Sequence, residues 1–221
     1  MKKSLLGVIV TFLFLNANNI SSQILLKQAS LEKQIKNSSL VIEGKVLSKN
    51  SFWGSDGIIY TANTIAVYKV FKGELLKTID VVTSGGIVGL RGLNVSNSLK
   101  LREGDIGVFM LQETIKVNSS AKKFINKQFK AYGAVQGFYK YNIYEDVASN
   151  PFNAKKGISN SFYNEIIKLT KEPYKEIVKY DVSSITSKTK QSNKIQAPTA
   201  ITFFPTTRTA GTKSTITITL A

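Results

Sequence analysis

The sequence contains no histidine and no cysteine in its 221 residues. This excludes disulfides, thiolate nucleophiles, catalytic triads with an imidazole base and the usual zinc ligand sets. We therefore expect no metal and no cofactor. Acidic residues are also few, with 14 aspartates and glutamates against 30 lysines and arginines, which gives a formal net charge of +16. This excess favours anionic surfaces or polymers as partners.

What is present is typical of a globular protein. Hydrophobic residues make up 43% of the chain and charged residues 20%, which excludes a disordered, collagen-like or coiled-coil chain. We expect one domain, or one domain and a fragment of another. Without disulfides this domain depends on an ordinary packed core, which about 160 residues can supply.

Residues 1–22 have the layout of a secretory signal peptide. Two lysines precede an apolar run over residues 5–15, and small polar residues follow. The run is shorter than the ~20 apolar residues of a membrane-spanning helix, although an uncleaved N-terminal anchor is the alternative. We predict cleavage after Ser22, which yields a protein that is secreted or at the cell surface and has no integral membrane segment.

Strands are predicted to dominate up to about residue 145. Residues 40–49 alternate as a half-buried strand with Glu43 on the solvent face. Residues 58–72 are apolar on both faces, which predicts a long central strand with a bulge near Lys69. Further predictions are a short strand over residues 79–82, a glycine-rich connection over residues 85–92, a buried strand over residues 106–111, and a hairpin of residues 129–135 with residues 138–141.

Helical spacing begins at Ser159 and ends at Pro173. A second short helix is predicted over residues 174–178, and a short amphipathic stretch over residues 31–35 precedes the first strand. We therefore predict a mainly β (α+β) domain over residues 23–183. It would be a small barrel-like antiparallel sheet with one or two C-terminal helices packed on it.

The remainder of the chain divides into a basic polar linker, residues 184–197, and a strand-like segment, residues 198–221. Part of the latter, PTTRTAGTKSTITI at residues 205–218, resembles the first two strands of an IPT/TIG domain, which is an immunoglobulin-like sandwich. The resemblance implies that residues 198–221 are a truncated segment of this kind.

Residues 40–112 contain the motifs EGKV at 43–46, IYTAN at 59–63, VYKVFKG at 67–73, TSGG at 83–86 and GDIGVF at 104–109. These motifs carry a second resemblance, to the N-terminal module of large exported proteins of Gram-negative bacteria. These proteins continue with a TIG domain, often a matrixin-like zinc protease domain, and a type IX secretion sorting signal. The layout is also similar to the OB-like barrel of netrin/TIMP-type domains. The resemblance implies that the chain is the N-terminal fragment of such a protein and that the downstream domains of this parent protein are its partners.

The leading functional hypothesis is a non-catalytic extracellular or cell-surface module. The alternative is a binding protein for a polyanion or glycan such as an anionic polysaccharide, with no specific nucleic acid as partner. It depends on a run of lysines that contains aromatic residues but no acidic ones; a solvated connection would have the same composition. Its binding candidates are Lys116, Lys122, Lys123, Lys127 and Lys130.

An enzyme is the third hypothesis. Ser-x-x-Lys, in which a lysine activates a serine, occurs at Ser30 and twice more, at residues 119–122 and 120–123. Two acidic pairs, Glu103 with Asp105 and residues 145–146, occur in predicted turns. Trp53 follows the first strand and is either a contact residue or a cover for the end of the sheet.

Overall fold

In the computed structural model, the structure describes residues 27–113, residue 117 and residues 124–185. The predicted signal peptide, the TIG-like segment and all but the first two residues of the predicted linker lie outside these ranges. Within them, none of the helices is long and apolar enough to cross a membrane.

The described part of the chain is mainly β, as predicted. Helix α1 is Leu31–Lys36 and α2 is Tyr163–Thr170, which continues directly from a π turn, Ile158–Phe162. A helical turn also begins at Val182. The strands are β1 (Leu40–Trp53), β2 (Ile59–Lys72), β3 (Thr78–Ser84), β4 (Gly86–Val88), β5 (Arg91–Leu93), β6 (Ile106–Glu113), β7 (Gln128–Ala131), β8 (Phe138–Asn142), β9 (Val147–Ser149), β10 (Ala154–Lys156) and β11 (Lys175–Glu176).

Five strands pair in a closed circuit in the order β1, β2, β3, β7, β6 and back to β1. The pairing is antiparallel except between β3 and β7, which run parallel. The expectation of an antiparallel sheet was therefore wrong in this respect, and the sheet is mixed. The reason is geometric: a circuit with an odd number of strands cannot alternate direction at every step. Strands β8, β9 and β10 extend the sheet from β6.

The predicted bulge near Lys69 is confirmed. In the β1–β2 pairing, Glu43 faces Lys69, but the register skips Tyr68 on one side of this pair and Phe71 on the other. Two extra residues on β2 therefore flank Lys69. Bulges bend a strand and increase its twist, which helps a long strand to curve around the circuit.

Two hydrophobic cores lie on opposite faces of the sheet. One fills the interior of the circuit and includes Ile42, Ile65 and Phe109. The other lies between the outer face and the helices and includes Met110 and Phe162. The prediction that residues 106–111 are buried is confirmed for residues 107–111, whose successive apolar side chains enter different cores, whereas Ile106 is half-buried.

The predicted hairpin of residues 129–135 with residues 138–141 is wrong. β7 and β8 do not pair with each other; they follow one another along the same edge of β6. A 3-10 turn, Ala134–Gly137, separates them. Gln136 and Gly137 therefore lie in a turn between two segments that pair with β6, and not in the turn of a hairpin. The edge of β6 that β1 leaves free provides hydrogen-bond partners for both segments.

The helix predicted over residues 174–178 is also wrong. This segment contains β11, which pairs with β2 at Val70 and Lys69. β3 pairs with β2 only as far as Ala66, so the edge of β2 beyond that residue needs hydrogen-bond partners. The expected glycine-rich connection, in turn, contains the β4–β5 hairpin. The helix predicted from Ser159 is confirmed by the π turn and α2.

Glycines make the closest approach between strands possible. Gly44 of β1 lies opposite Gly107 of β6. A Cβ added at Gly107 would lie 2.1 Å from the Tyr139 carbonyl oxygen, and one at Gly44 would lie 2.5 Å from that of Ala66. Side chains at these positions would force neighbouring strands apart.

We expect Gly107→Ala to lower the free energy of unfolding by about 1–3 kcal/mol, because the added methyl group overpacks the sheet. Urea denaturation measures the change. The matched control is Gly92→Ala, also in a strand, where the nearest atom to an added Cβ is 3.7 Å away. A loss for Gly92→Ala equal to that for Gly107→Ala would contradict this interpretation.

Candidate functional site

A buried ion pair connects the first two strands. Glu43 of β1 and Lys69 of β2 are cross-strand neighbours. The Lys69 Nζ lies 2.7 Å from Glu43 Oε1, and the two side chains are 4% and 0% exposed. The prediction that Glu43 faces solvent was therefore wrong. Its face of the sheet is covered by α2 and by the chain that follows it.

Two tyrosines complete the environment of the Glu43 carboxylate. The hydroxyl of Tyr141, in β8, donates to Oε2 at 2.9 Å. The hydroxyl of Tyr163, the first residue of α2, donates to the same oxygen. Together with Lys69, three side-chain donors therefore bind one carboxylate, and both of its oxygens have partners. The cluster connects β1, β2, β8 and α2 at a single point.

Lys69 is also held by the C-terminal part of the domain. Its Nζ donates to the carbonyl oxygen of Tyr180 at 2.5 Å. It lies 5.6–5.8 Å from the ring centroids of Tyr163, Tyr174 and Tyr180, within the range of cation–π attraction. The ammonium group is therefore surrounded by one carboxylate, one carbonyl and three aromatic rings.

Burial has the largest effect on the pKa values of the cluster. It raises the pKa of the Glu43 carboxyl group, whereas the charge and hydrogen bond of Lys69 lower it. Burial and the nearby carboxylate raise the pKa of Tyr141 well above its ordinary value and that of Tyr180 to about 12. The Tyr141 hydroxyl consequently keeps its proton at neutral pH and donates it to Glu43, whereas the buried Tyr180 hydroxyl has no hydrogen-bond partner in the structure. The two charged groups, Glu43 and Lys69, have their partners inside the protein, and the arrangement holds the C-terminal cover on the sheet.

The Ser-x-x-Lys pair at Ser30 has a structural role. The Ser30 Oγ accepts a hydrogen bond from the backbone N–H of Lys33 and caps the N-terminus of α1. The other two Ser-x-x-Lys pairs, at residues 119–122 and 120–123, lie outside the described residues.

The first acidic pair binds neighbouring backbone and side-chain groups. Asp105 Oδ2 accepts from the N–H of Arg102 at 2.9 Å, and its Oδ1 lies 2.6 Å from Lys140 Nζ. Glu103 accepts from the N–H of Lys49 at 3.2 Å. Both carboxylates thus stabilise the turn before β6, as the sequence context predicted.

The second acidic pair is Glu145 with Asp146, in the turn between β8 and β9. Asp146 Oδ1 accepts from the N–H of Ile158 at 3.0 Å, which attaches the π turn to the sheet. The neighbouring Glu145 is exposed. Within the described ranges no three aspartates or glutamates are grouped so that they could hold a metal ion.

The lysine run is only partly described. Lys116, Lys122 and Lys123 lie outside the described residues, and Lys130 is exposed on β7. Lys127 lies 3.0 Å from Glu74 and 2.8 Å from Glu113. The hydrogen bonds that Lys127 donates to Glu113 and Glu74 raise the pKa of its ammonium group. The run contains no acidic residue in the sequence, but the fold places two glutamates, Glu74 and Glu113, beside Lys127.

The aromatic residues of the lysine run are distributed differently from the expectation. Phe129 is buried in the interior core, so it cannot stack on a ligand. Phe124 packs against Phe52 at the end of β1, with ring centroids 4.9 Å apart. Trp53 is 39% exposed and lies at the end of the same strand.

Two cavities open beside the end of β3. One, of about 400 Å³, lies between β3 and the chain after β7, and Lys130 lines it. The other, of about 300 Å³, lies beneath the β4–β5 hairpin and is lined by Asn63, Lys49 and Lys100. The buried Oδ1 of Asn63 has no hydrogen-bond partner in the structure. No aspartate or glutamate lines either cavity.

Comparison with known proteins adds no assignment. No family model matches the chain, and no curated protein matches it either. Functional interpretation therefore depends on the geometry of the described residues.

The sequence prediction missed the Glu43–Lys69 cluster. Charged residues at alternating positions of a strand are normally interpreted as its solvent face. The available signal was that β2 is apolar on both faces, which requires a cover on the outer one. Tyrosines 163, 174 and 180 are concentrated in the segment that forms this cover.

We expect Lys69→Met to lower the free energy of unfolding by about 3–5 kcal/mol, because it leaves the buried Glu43 carboxylate without its counterion. The double variant Glu43→Gln/Lys69→Met should lose less than Lys69→Met alone, since no uncompensated charge remains. Urea denaturation measures each variant.

The control for this cycle is Lys127→Met, which removes an ammonium group from two exposed ion pairs. Exposed pairs contribute little to stability, so its urea midpoint should stay close to that of the unmodified chain. Equal midpoints for Lys69→Met and Lys127→Met would contradict the importance of the buried pair.

Proposed function

We propose that the chain is a non-catalytic extracellular or cell-surface module, the N-terminal part of a TIG-containing secreted protein associated with a metalloprotease. The observation that carries this proposal is that four side chains with potentially reactive groups are engaged in structural contacts. Ser30 caps a helix, Asp105 and Asp146 hold turns, and Glu43 is saturated inside the protein. A module that acts by its shape and surface needs no exposed reacting atom.

The finer fold that we propose is the OB-like barrel of netrin/TIMP-type domains. Two features support it: the closed circuit of five strands, and the single parallel pair between the third and the last strand of that circuit in chain order. Helices on the outer face agree with the same proposal. The immunoglobulin-like identity of residues 198–221 remains a prediction from the sequence.

Sequencing of the DNA downstream of codon 221 tests whether the chain is the N-terminal part of a longer protein with a TIG domain. We expect a continuation, in one of the reading frames, that encodes the rest of a TIG sandwich and a metalloprotease helix. An intergenic region without such a continuation would argue against a parent protease.

Turnover assays on the purified chain from Gln23 onward test the absence of catalysis. We expect no hydrolysis of casein or of peptidoglycan above that of a heat-denatured sample. Hydrolysis that is lost on replacing Ser30, Glu103 or Asp105 would contradict the proposal, since the structure gives these residues structural contacts only.

A second candidate function is binding of an anionic polysaccharide. The observation that favours it is the anchoring of the lysine run: Val117 and Phe124, which border its undescribed part, both pack against the cluster of Phe52 and Tyr60. In the sequence, Lys116 precedes Val117, and Lys122 and Lys123 precede Phe124. Lys127 does not support the proposal, because two carboxylates already neutralise it.

We expect the triple variant of Lys116, Lys122 and Lys123 to alanine to elute from heparin at lower salt. The slope of log affinity against log salt should fall by about one for each lysine that contacts the polymer. The matched control replaces Lys168, Lys171 and Lys175, three exposed lysines near the end of α2 and in β11. Equal losses for both triple variants would indicate net charge alone and contradict a specific surface.

A further inference from the structure

Two hairpin ends lie together at one end of the sheet. The first is the β1–β2 turn, residues 54–58. The second is the β4–β5 hairpin, which crosses the end of β1: the N–H of Ile87 donates to Ser51 Oγ at 3.3 Å. Gly86 lies so close that an added Cβ would meet Ser51 Oγ at 2.3 Å and Thr61 Oγ1 at 2.5 Å. The glycine therefore fixes the hairpin at this position.

This end of the molecule exposes aliphatic side chains. Leu90 is fully exposed and Ile87 is 74% exposed. The hairpin pairs Val88 with Arg91, so Gly89 and Leu90 are its two turn residues, and the positive φ of Gly89 suits the first of them. We name the exposed apolar residues of the two hairpin ends the hairpin-tip surface; they are Trp53, Ile58, Ile87, Leu90 and Leu93.

Cations surround the hairpin-tip surface. Arg91 follows Leu90 directly, and Lys49 and Lys100 line the same cavity as Ile87. Two acidic residues at this end already have protein partners: Asp56 accepts from the hydroxyl of Tyr60, and Glu103 accepts from the N–H of Lys49. The whole chain carries a formal net charge of +16. The partners of Asp56 and Glu103 are neutral groups and do not cancel their charge, but the three cations outnumber these two carboxylates, so an anionic surface is complementary to this end.

We propose that the hairpin-tip surface inserts into the headgroup region of an anionic lipid membrane. Exposed aliphatic residues beside cations, with a tryptophan nearby, are the combination that interfacial membrane binding uses. A soluble polyanion would contact the cations but has no contact to offer Ile87 and Leu90. Leu90 lies in the turn of the β4–β5 hairpin and Ile87 lies in β4 close to it, and lipid chains can surround both exposed side chains.

The test uses the chain from Gln23 onward, which keeps all described residues and removes the apolar run of residues 5–15. Its sedimentation is measured with vesicles of equal parts phosphatidylglycerol and phosphatidylcholine, and with vesicles of phosphatidylcholine alone. We expect binding to the anionic vesicles to exceed binding to the neutral ones, and to weaken with salt. The single tryptophan, Trp53, should shift its fluorescence to shorter wavelengths as binding proceeds.

The decisive variant is Ile87→Ser/Leu90→Ser, for which we expect a loss of at least about tenfold in binding to the anionic vesicles. The matched control is Leu75→Ser/Val178→Ser, which removes two half-exposed aliphatic side chains away from the two hairpin ends and should bind like the unmodified chain. Near-ultraviolet circular dichroism confirms folding. Leu90→Ser alone changes only a fully exposed side chain and provides a second test, with an expected loss of about threefold.

Three results would overturn the proposal. They are the absence of sedimentation with anionic vesicles, equal binding of the decisive variant and the unmodified chain, and equal binding to neutral vesicles. Retention on heparin together with an absence of vesicle binding would favour a soluble polymer as the partner of the cations instead. A non-catalytic module needs no lipid contact, so failure here would leave the proposed function intact.

Discussion

The buried pair of Glu43 and Lys69 is the constraint on which the rest of the structure depends. A charge removed from water is tolerated only when its partners are in place. Here the partners come from β1, β2, β8, α2 and the chain around Tyr180. If any of these elements moves away, at least one buried charge loses a hydrogen bond. The pair therefore favours a single arrangement of the helix and the C-terminal segment on the sheet.

The backbone of β2 prepares this arrangement. The residues skipped at its two bulges, Tyr68 and Phe71, flank Lys69 in the chain. Tyr68 stacks on Tyr180 with ring centroids 4.7 Å apart, and Phe71 contacts Tyr163 at 5.3 Å. The irregularities that allow the sheet to curve thus also supply two aromatic residues that pack against the tyrosines covering the Lys69 ammonium. The sequence of β2 therefore contributes both to the curvature of the sheet and to the attachment of α2 and the segment around Tyr180.

The sequence was sufficient to predict most strands and one helix, because alternation and helical spacing are local properties of residues 40–49, 58–72 and 159–172. It could not predict which edge each strand would find, so β7 and β8 were assigned to a hairpin and β11 to a helix. The burial of Glu43 was missed for a related reason. Whether a face of a strand meets water depends on segments more than 100 residues later in the chain.

The distribution of charge and apolar surface separates two parts of the molecule. In the interior, ionic and phenolic groups are enclosed, and the chain itself supplies their partners. At the hairpin ends, Ile87 and Leu90 face water although the protein has two cores that could have received aliphatic side chains. The close approach of Gly86 to Ser51 and Thr61 places the β4–β5 hairpin against β1 and β2. With the hairpin in this position, its aliphatic side chains are part of the surface that the proposed module offers to its surroundings.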